Sequence, residues 1–194
     1  GHIRQLVNRL SRGDRWDFVF NIAEGLHGLA REAQIPALLQ AYDIPCTFSD
    51  PLILALTLHK GLTQRVLRDM GLPTAEFFLV ETEADIARVN LRFPLFAKPV
   101  AEGTAKGIDA DSKLDDRDDL ARVCHRLLAT YHQPVLVETY LPGREVTVGI
   151  TGSGADAVAV GTLEVILVGD AEPHSYTYVN KERCEELCKY VRIE

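Results

Sequence analysis

The chain has 194 residues, of which 46% are hydrophobic and 25% charged, a balance typical of a folded domain and not of a disordered segment. Its net charge of −7 and its pI of about 5.4 argue against nucleic acid as a main partner. No apolar run reaches the roughly 18 residues that a membrane helix needs, so no membrane partner is expected. The four cysteines are too few for a disulfide scaffold and predict reduced thiols in a cytoplasmic protein.

The first third of the chain is predicted to be the end of an open α/β domain. A helix over 3–10 is followed by an alternating apolar strand at 16–22, a glycine-rich turn, a helix over 31–42 and an extended piece at 44–46. This order is typical of a parallel sheet. The segment has too few strands to bury a sheet alone, and we expect it to end near His59.

Helices and strands alternate in the rest of the chain. The predicted elements are a helix over 60–70, a strand at 75–80, a short helix capped by Thr82 and Asp85, a strand at 94–99, a helix over 115–131, and strands at 135–139, 145–151 and 157–168. Acidic residues open the helix over 115–131, where the helix dipole favours negative charge. They predict a helix cap and not a metal site.

A lysine at the end of a strand is the first candidate for chemistry. Lys98 precedes a loop over 101–108 that is rich in glycine and small residues and contains Thr104 and Lys106. Such a loop lets backbone N–H groups approach a phosphate, to which the lysines add positive charge. Taken alone, the segment favours a structural role for the lysine and its hairpin over a phosphate site.

Two carboxylates are the second candidate. Glu138 ends one strand and Glu145 begins the next, so a strand edge and a carboxylate could bind an adenine and a ribose. From this segment alone, a β-hairpin with exposed charges is the favoured interpretation. The GxGxxA segment over 152–157 precedes a strand where a dinucleotide fingerprint needs a helix, and it predicts a hairpin turn. Cys184 and Cys188 form only a weak zinc pattern.

In this order the segments resemble the D-alanine–D-alanine ligase branch of the ATP-grasp superfamily, from Phe18 to about Glu182. The matching residues are His27, Gly28, Glu32, Pro45, Ser49, Asp50, Pro51, Lys60, Gly71, Leu72, Pro73, Lys98, Pro99, Glu102, Gly103, Thr104, Glu138, Leu141, Pro142, Gly143, Arg144, Glu145, Tyr176, Tyr178 and Lys181. The resemblance implies an α/β fold that is α+β in its central part. Residues 1–59 would end an open α/β N-terminal domain, 60–145 would form a central subdomain of antiparallel strands and helices, and 146–194 would begin a C-terminal α+β subdomain.

The resemblance also implies a role for each matching residue. The catalytic residues would be Thr104, Lys181 and Glu32. The ATP-binding residues would be Lys60, Lys98, Glu102, Gly103, Ala105, Gly107, Glu138, Thr139, Leu141 and Glu145. The substrate side would hold His27 and Tyr176. Lys60 and Lys98 would converge on the phosphates, and the loop containing Thr104 would close over them.

The implied reaction joins two small amino acids, as in peptidoglycan biosynthesis. ATP would phosphorylate one carboxylate to an acyl phosphate, and the amine of the second amino acid would displace the phosphate. The cofactors would be ATP and Mg²⁺, and family members are often homodimers. The magnesium ligands would follow residue 194, with none in this chain. We therefore expect a truncated form without ligase activity of its own.

Three departures from the family pattern leave alternatives open. Thr104 stands where the family has serine and keeps the hydroxyl, whereas Glu182 stands where it has tyrosine. Residues 31–34 keep only the glutamate of a common Gly-Glu-Asp-Gly segment. An ATP-grasp ligase of other amino-acid specificity and a non-catalytic nucleotide-binding module are the two alternatives.

Overall fold

The computed structural model describes residues 2–193, and the chain forms two compact units, Gly1–Pro73 and Thr74–Glu194, called here the first and the second unit. The subdomain boundaries predicted at residues 59 and 145 stay predictions. Within the described residues, no helix is long and apolar enough to cross a membrane.

Helices make up most of the first unit. They are α1 (Ile3–Ser11), α2 (Gln34–Gln40), α3 (Pro51–Leu58) and α4 (Lys60–Asp69), with a 3-10 turn over Arg31–Ala33 that leads into α2. Leu10, Leu39 and Ile44 are buried, and Trp16 and Val19 pack against them. The predicted helices that begin this unit, follow the glycine-rich turn and start at residue 60 are confirmed.

The strand predicted over 16–22 is wrong. Among the described residues, this segment makes a single parallel bridge, between Val19 and Cys46. The side chains of Phe18 and Phe20 are 58% and 70% exposed. Apolar alternation is not enough to form a strand here, because a ladder needs a neighbour that pairs along its length.

Helix α3 has no amphipathic period, and its signal lies in its cap. The Asp50 carboxylate accepts hydrogen bonds from the backbone of Leu52 and Ile53, and Pro51 fills the first helical position. An acidic N-cap followed by proline is a strong helix start. Reading those residues as a cap would have predicted the helix.

A four-stranded antiparallel sheet begins the second unit, in the order β1-β4-β2-β3. Its strands are β1 (Phe77–Val80), β2 (Leu95–Pro99), β3 (Lys113–Leu114) and β4 (Val135–Thr139). The helices between them are α5 (Glu83–Ile86) and α6 (Arg117–Tyr131). Three of these strands and both helices were predicted from the sequence and are confirmed.

One face of this sheet is covered by α6. Buried side chains of β2 and β4 pack against buried side chains of the helix in one cluster; the sheet side provides Leu95, Ala97, Val135 and Val137. Successive side chains of a strand point to opposite faces. Phe96, Lys98, Leu136 and Glu138 therefore lie on the other face, here called the open face because α6 does not cover it, although Phe96, Leu136 and Glu138 are themselves buried.

A second, three-stranded antiparallel sheet contains β5 (Glu145–Thr151), β6 (Val158–Leu167) and β7 (Cys188–Ile193). A tight turn joins β5 to β6, as predicted, and a Cβ on Gly152 would lie 2.1 Å from the carbonyl oxygen of Asp156. The interpretation of 135–151 as a β-hairpin is wrong. Its two strands lie in different sheets, and residues 140–144 lead from one to the other.

The chain after residue 169, where the sequence pattern is weak, is ordered by its packing. It forms α7 (Tyr178–Glu182) and α8 (Cys184–Leu187) before β7. Val165, Leu187 and Cys188 form a small buried cluster there. Such short elements leave no periodicity to detect in a sequence.

Candidate functional site

The open face of the four-stranded sheet has a row of side chains across it. Glu138 of β4 pairs with Phe77 on one side and Phe96 on the other, and Lys113 of β3 pairs with Phe96 beyond. Lys98 is two residues along from Phe96, and its ammonium group forms an ion pair with the Glu138 carboxylate. The side chains of this pair are 20% and 12% exposed. The predicted phosphate-binding lysine and the predicted adenine-side carboxylate thus meet in a largely buried place.

Tyr140 follows β4 directly and adds an aromatic ring to the site, which the sequence analysis did not identify. Its ring stacks on Phe96 with centroids 6.3 Å apart and meets the His174 ring edge-on at 6.2 Å. Its hydroxyl donates a hydrogen bond of 3.0 Å to the carbonyl oxygen of His174. An aromatic residue just after Glu138 and Thr139 was the available sequence signal. The strand end is therefore tied to the loop that contains His174.

The loop over 101–108 is fixed at its base. Gln133 accepts a hydrogen bond of 2.7 Å from the backbone of Ala101 and donates one of 2.7 Å to the carboxylate of Glu102. A Cβ on Gly107 would lie 2.5 Å from a side-chain atom of Pro99, so this position needs glycine. The base of the loop is thus packed where the loop leaves β2.

The tip of the same loop is strained, with Thr104 exposed and Ala105 buried. Thr104 and Ala105 have positive φ values of 49° and 60°. The left-handed region disfavours residues with a Cβ, and such strain is common in loops that bind ligands. Thr104 is exposed, while Gly103 is half-buried and its carbonyl accepts a hydrogen bond from Lys106. The predicted catalytic hydroxyl is therefore presented to solvent.

Three predicted residues come together beside the second sheet. The backbone N–H of Tyr176 donates a 3.0 Å hydrogen bond to the Glu145 carboxylate. The Lys181 ammonium lies 4.9 Å from the centroid of the Tyr176 ring. The Tyr176 hydroxyl is hydrogen-bonded to that of Tyr190, which raises the pKa of Tyr190 together with its burial.

Hydrogen bonds connect these groups within the second unit. The loop of Tyr176 reaches the end of β4 through His174 and Tyr140, and the Tyr178 N–H donates to the Ile108 carbonyl at 3.2 Å. Thr139 donates its N–H to Glu76 at 2.9 Å, and Leu141 is 68% exposed.

The remaining predicted residues lie in the first unit. Lys60 begins α4, where the His59 ring accepts a hydrogen bond from the backbone of Leu62. Glu32 is half-buried in the 3-10 turn, and His27 is exposed. The convergence of Lys60 and Lys98, and the proximity of Glu32 and His27 to the nucleotide, stay predictions.

Within residues 2–193, no group of three or more His, Cys, Asp or Glu side chains is placed to hold a metal ion. The magnesium requirement implied by the resemblance stays a prediction. Cys184 and Cys188 are free thiols, and burial raises the pKa of Cys188.

A family model described as "D-ala D-ala ligase C-terminus" matches residues 66–190. D-alanine–D-alanine ligase of Bordetella pertussis is 32% identical over 181 residues, which cover 92% of this chain and 55% of that protein. The corresponding ligase of Chlorobium luteolum is 31% identical over 176 residues, covering 85% of this chain and 45% of that protein. The chain thus spans about half the length of these relatives.

Solved structures show the same fold. D-alanine–D-alanine ligase from Bacillus anthracis complexed with ATP superposes with a TM-score of 0.69 at 17% identity, covering 100% of this chain and 57% of that one. VanG D-Ala:D-Ser ligase from Enterococcus faecalis gives a TM-score of 0.68 at 21% identity, covering 91% of this chain and 49% of that one.

Proposed function

The chain belongs to the D-alanine–D-alanine ligase family of ATP-grasp proteins, and from that premise we propose that its second unit binds ATP on the open face of the four-stranded sheet. Membership of this family confirms the predicted fold class. We propose that the protein joins the carboxylate of one small amino acid to the amine of another at the expense of ATP. Relatives named for joining D-alanine to D-alanine support that substrate class.

The ion pair of Lys98 and Glu138 is the observation that carries the proposal. It holds an ammonium group at a fixed point on an open sheet face, at the strand end from which the loop over 101–108 leaves. A fixed, poorly hydrated cation attracts phosphate oxygens more strongly than one in bulk water. Glycines in the loop allow the backbone to approach the same phosphates.

Each part of ATP has a proposed place. Glu138 and the backbone at Leu141 face the adenine, and Glu145 takes the ribose hydroxyls. Lys98 and the loop residues from Glu102 to Gly107 hold the phosphates. Lys181 approaches the terminal phosphoryl group from the segment that is hydrogen-bonded to Glu145 through Tyr176.

The proposed reaction depends on stabilisation of negative charge by positively charged side chains and not on a covalent bond to the protein. A carboxylate oxygen of the first amino acid attacks the terminal phosphorus, and ADP leaves with the electron pair of the broken bond. The amine of the second amino acid then attacks the acyl carbon and expels phosphate, losing a proton as the amide forms. Lys98 and Lys181 would stabilise the negative charge of the transferring phosphoryl group.

Calorimetric titration of the chain with ATP and Mg²⁺ tests this site. We expect saturable binding that Lys98→Met weakens about tenfold, because it removes one charge-assisted contact to phosphate. Lys189→Met is the matched control, since Lys189 is exposed on β7, and it should bind like the wild type. Failure of the wild type to bind ATP, or equal binding by Lys98→Met, would overturn the proposal.

A second candidate is the same chemistry with a different pair of amino acids. Glu182 is exposed at the end of α7, next to Lys181, where the family has tyrosine. A carboxylate there favours a substrate with a cationic or hydrogen-bond-donating group. Product analysis with a panel of amino acids separates the candidates, using an active enzyme that contains this chain. The chain alone is expected to bind nucleotide without turnover, which an assay for ADP in the presence of D-alanine checks.

A further inference from the structure

Asn180 is a fully buried polar residue next to Lys181, with 0% of its surface exposed. Its side-chain oxygen accepts a hydrogen bond of 2.9 Å from the Glu172 N–H. Its side-chain nitrogen donates to the carbonyls of Glu172 and Ser175 at 2.9 and 3.0 Å. Buried polar groups with several partners fix the local backbone, because any other arrangement leaves a partner unpaired.

The main chain of Asn180 is hydrogen-bonded as well as its side chain. Its N–H donates to the Thr177 hydroxyl at 3.3 Å, and Thr177 is itself 0% exposed. Its carbonyl accepts a hydrogen bond from the Cys188 thiol at 3.5 Å. These contacts tie α7 to the loop before it and to the start of β7. The backbone from which the Lys181 side chain extends is therefore held on both sides.

The far end of the Lys181 side chain is held by an aromatic pair. Its ammonium lies 4.9 Å from the centroid of the Tyr176 ring, within the range of a cation–π contact. The rings of Tyr176 and Tyr190 meet edge-on at 6.4 Å, and their hydroxyls are hydrogen-bonded. Tyr190 lies on β7, opposite Val165, so the second sheet supports the ring that faces the ammonium.

We infer that Asn180 and Tyr190 are positioning residues for Lys181, the first by fixing its backbone and the second by fixing the ring against which its ammonium lies. Neither side chain needs to touch the nucleotide. The inference rests on the proposed function, in which Lys181 contacts the terminal phosphate of ATP. A misplaced Lys181 would lose that contact alone, so affinity for ATP would fall and affinity for AMP would not.

The test measures affinity of the chain for ATP, ADP and AMP by calorimetry with Mg²⁺ present. Lys181→Met sets the reference and should reduce the preference for ATP over ADP about fivefold or more, the effect of one charge-assisted contact. Asn180→Ala and Tyr190→Phe should reduce the same ratio at least threefold and leave AMP affinity unchanged. Combining Asn180→Ala with Lys181→Met should give no further loss, because both changes remove one contact.

Two controls separate positioning from general damage. Ser112→Ala changes another fully buried polar side chain of the second unit and should leave the ATP-to-ADP ratio unchanged. Tyr190→Phe removes only a hydroxyl from a side chain that is 47% exposed, so it keeps the inference testable if Asn180→Ala does not fold.

The outcomes distinguish this inference from the proposed function. An equal loss of affinity for all three nucleotides in Asn180→Ala and Tyr190→Phe would overturn the positioning roles. So would a fully additive loss in the double variant. Absence of nucleotide binding by the wild type, or an unchanged ratio in Lys181→Met, would instead overturn the role of Lys181 on which the inference rests.

Discussion

Removing the Lys98 ammonium should destabilise the second unit strongly. Its side chain is 20% exposed and that of Glu138 is 12% exposed, so both charges lie largely out of water. Removing one partner of a largely buried ion pair costs about 3 kcal/mol. Lys98→Met should therefore lower the free energy of unfolding by about that amount.

Urea denaturation of the single and double variants measures this effect. Lys98→Met combined with Glu138→Gln should recover about 2 kcal/mol of the sum of the two single losses, since both changes act on one ion pair and the second also removes the carboxylate charge. Arg183→Met is the control, because the pair of Arg183 and Glu186 is 56% and 66% exposed and is screened by solvent, so its loss should cost much less stability. A loss in Lys98→Met no larger than in Arg183→Met would contradict this prediction.

Three further predictions concern local features of the fold. Thr104→Gly should raise the free energy of unfolding, measured with urea, by about 1 kcal/mol, because a β-branched residue is strained at a φ of 49°. Thr104→Ser should give a smaller gain in stability. An equal gain from the two variants would contradict the prediction. Burial raises the pKa of Cys124 to about 12, so iodoacetamide at pH 8 should label the partly exposed Cys46 well before Cys124. Equal labelling rates for the two thiols would count against the buried position of Cys124. Hydrogen bonds from Thr82 lower the pKa of Asp85 below its ordinary value of 3.8, so Asp85→Asn should be less stable than the wild type at pH 7. This loss of stability should vanish as the pH falls through the pKa of Asp85 in the folded state. A loss that persists at pH 2 would rule the cap out.

Elements with long or well-bounded patterns could be predicted from the sequence. The buried stripe of α6, from Leu120 to Leu127, repeats at helical spacing over about two turns, and β2 is a short apolar run between a proline and a glycine-rich loop. The cap of α5 by Thr82 and Asp85 follows from a local rule. Patterns of this kind depend on neighbours in the sequence and so survive without knowledge of the fold.

Features that depend on distant neighbours could not be predicted. The segment over 16–22 alternates like a strand and forms one bridge, because strand formation needs a partner that no local pattern reveals. The placement of β4 and β5 in separate sheets depends on which edges are available. The order after residue 169 depends on Asn180, whose role is set by contacts eight residues away on either side.

Part of the candidate site could be predicted from the sequence. Lys98 and Glu138 were identified by resemblance, yet their direct contact follows from strand register, which the sequence does not give. Tyr140 was missed because an aromatic residue after a strand is common, so its place just after Thr139 is only a weak signal. Its contacts with Phe96 and His174 distinguish it only in three dimensions.

The most direct measurement is a backbone amide map of the isotopically labelled chain by NMR, with a non-hydrolysable ATP analogue added. We predict that the largest shifts on binding fall at Lys98, across residues 101–108 and at Leu141, with smaller ones at Lys181, and that they saturate with added nucleotide. Shifts that miss the open face of the four-stranded sheet would contradict ATP binding there, as would a spectrum that the analogue leaves unchanged.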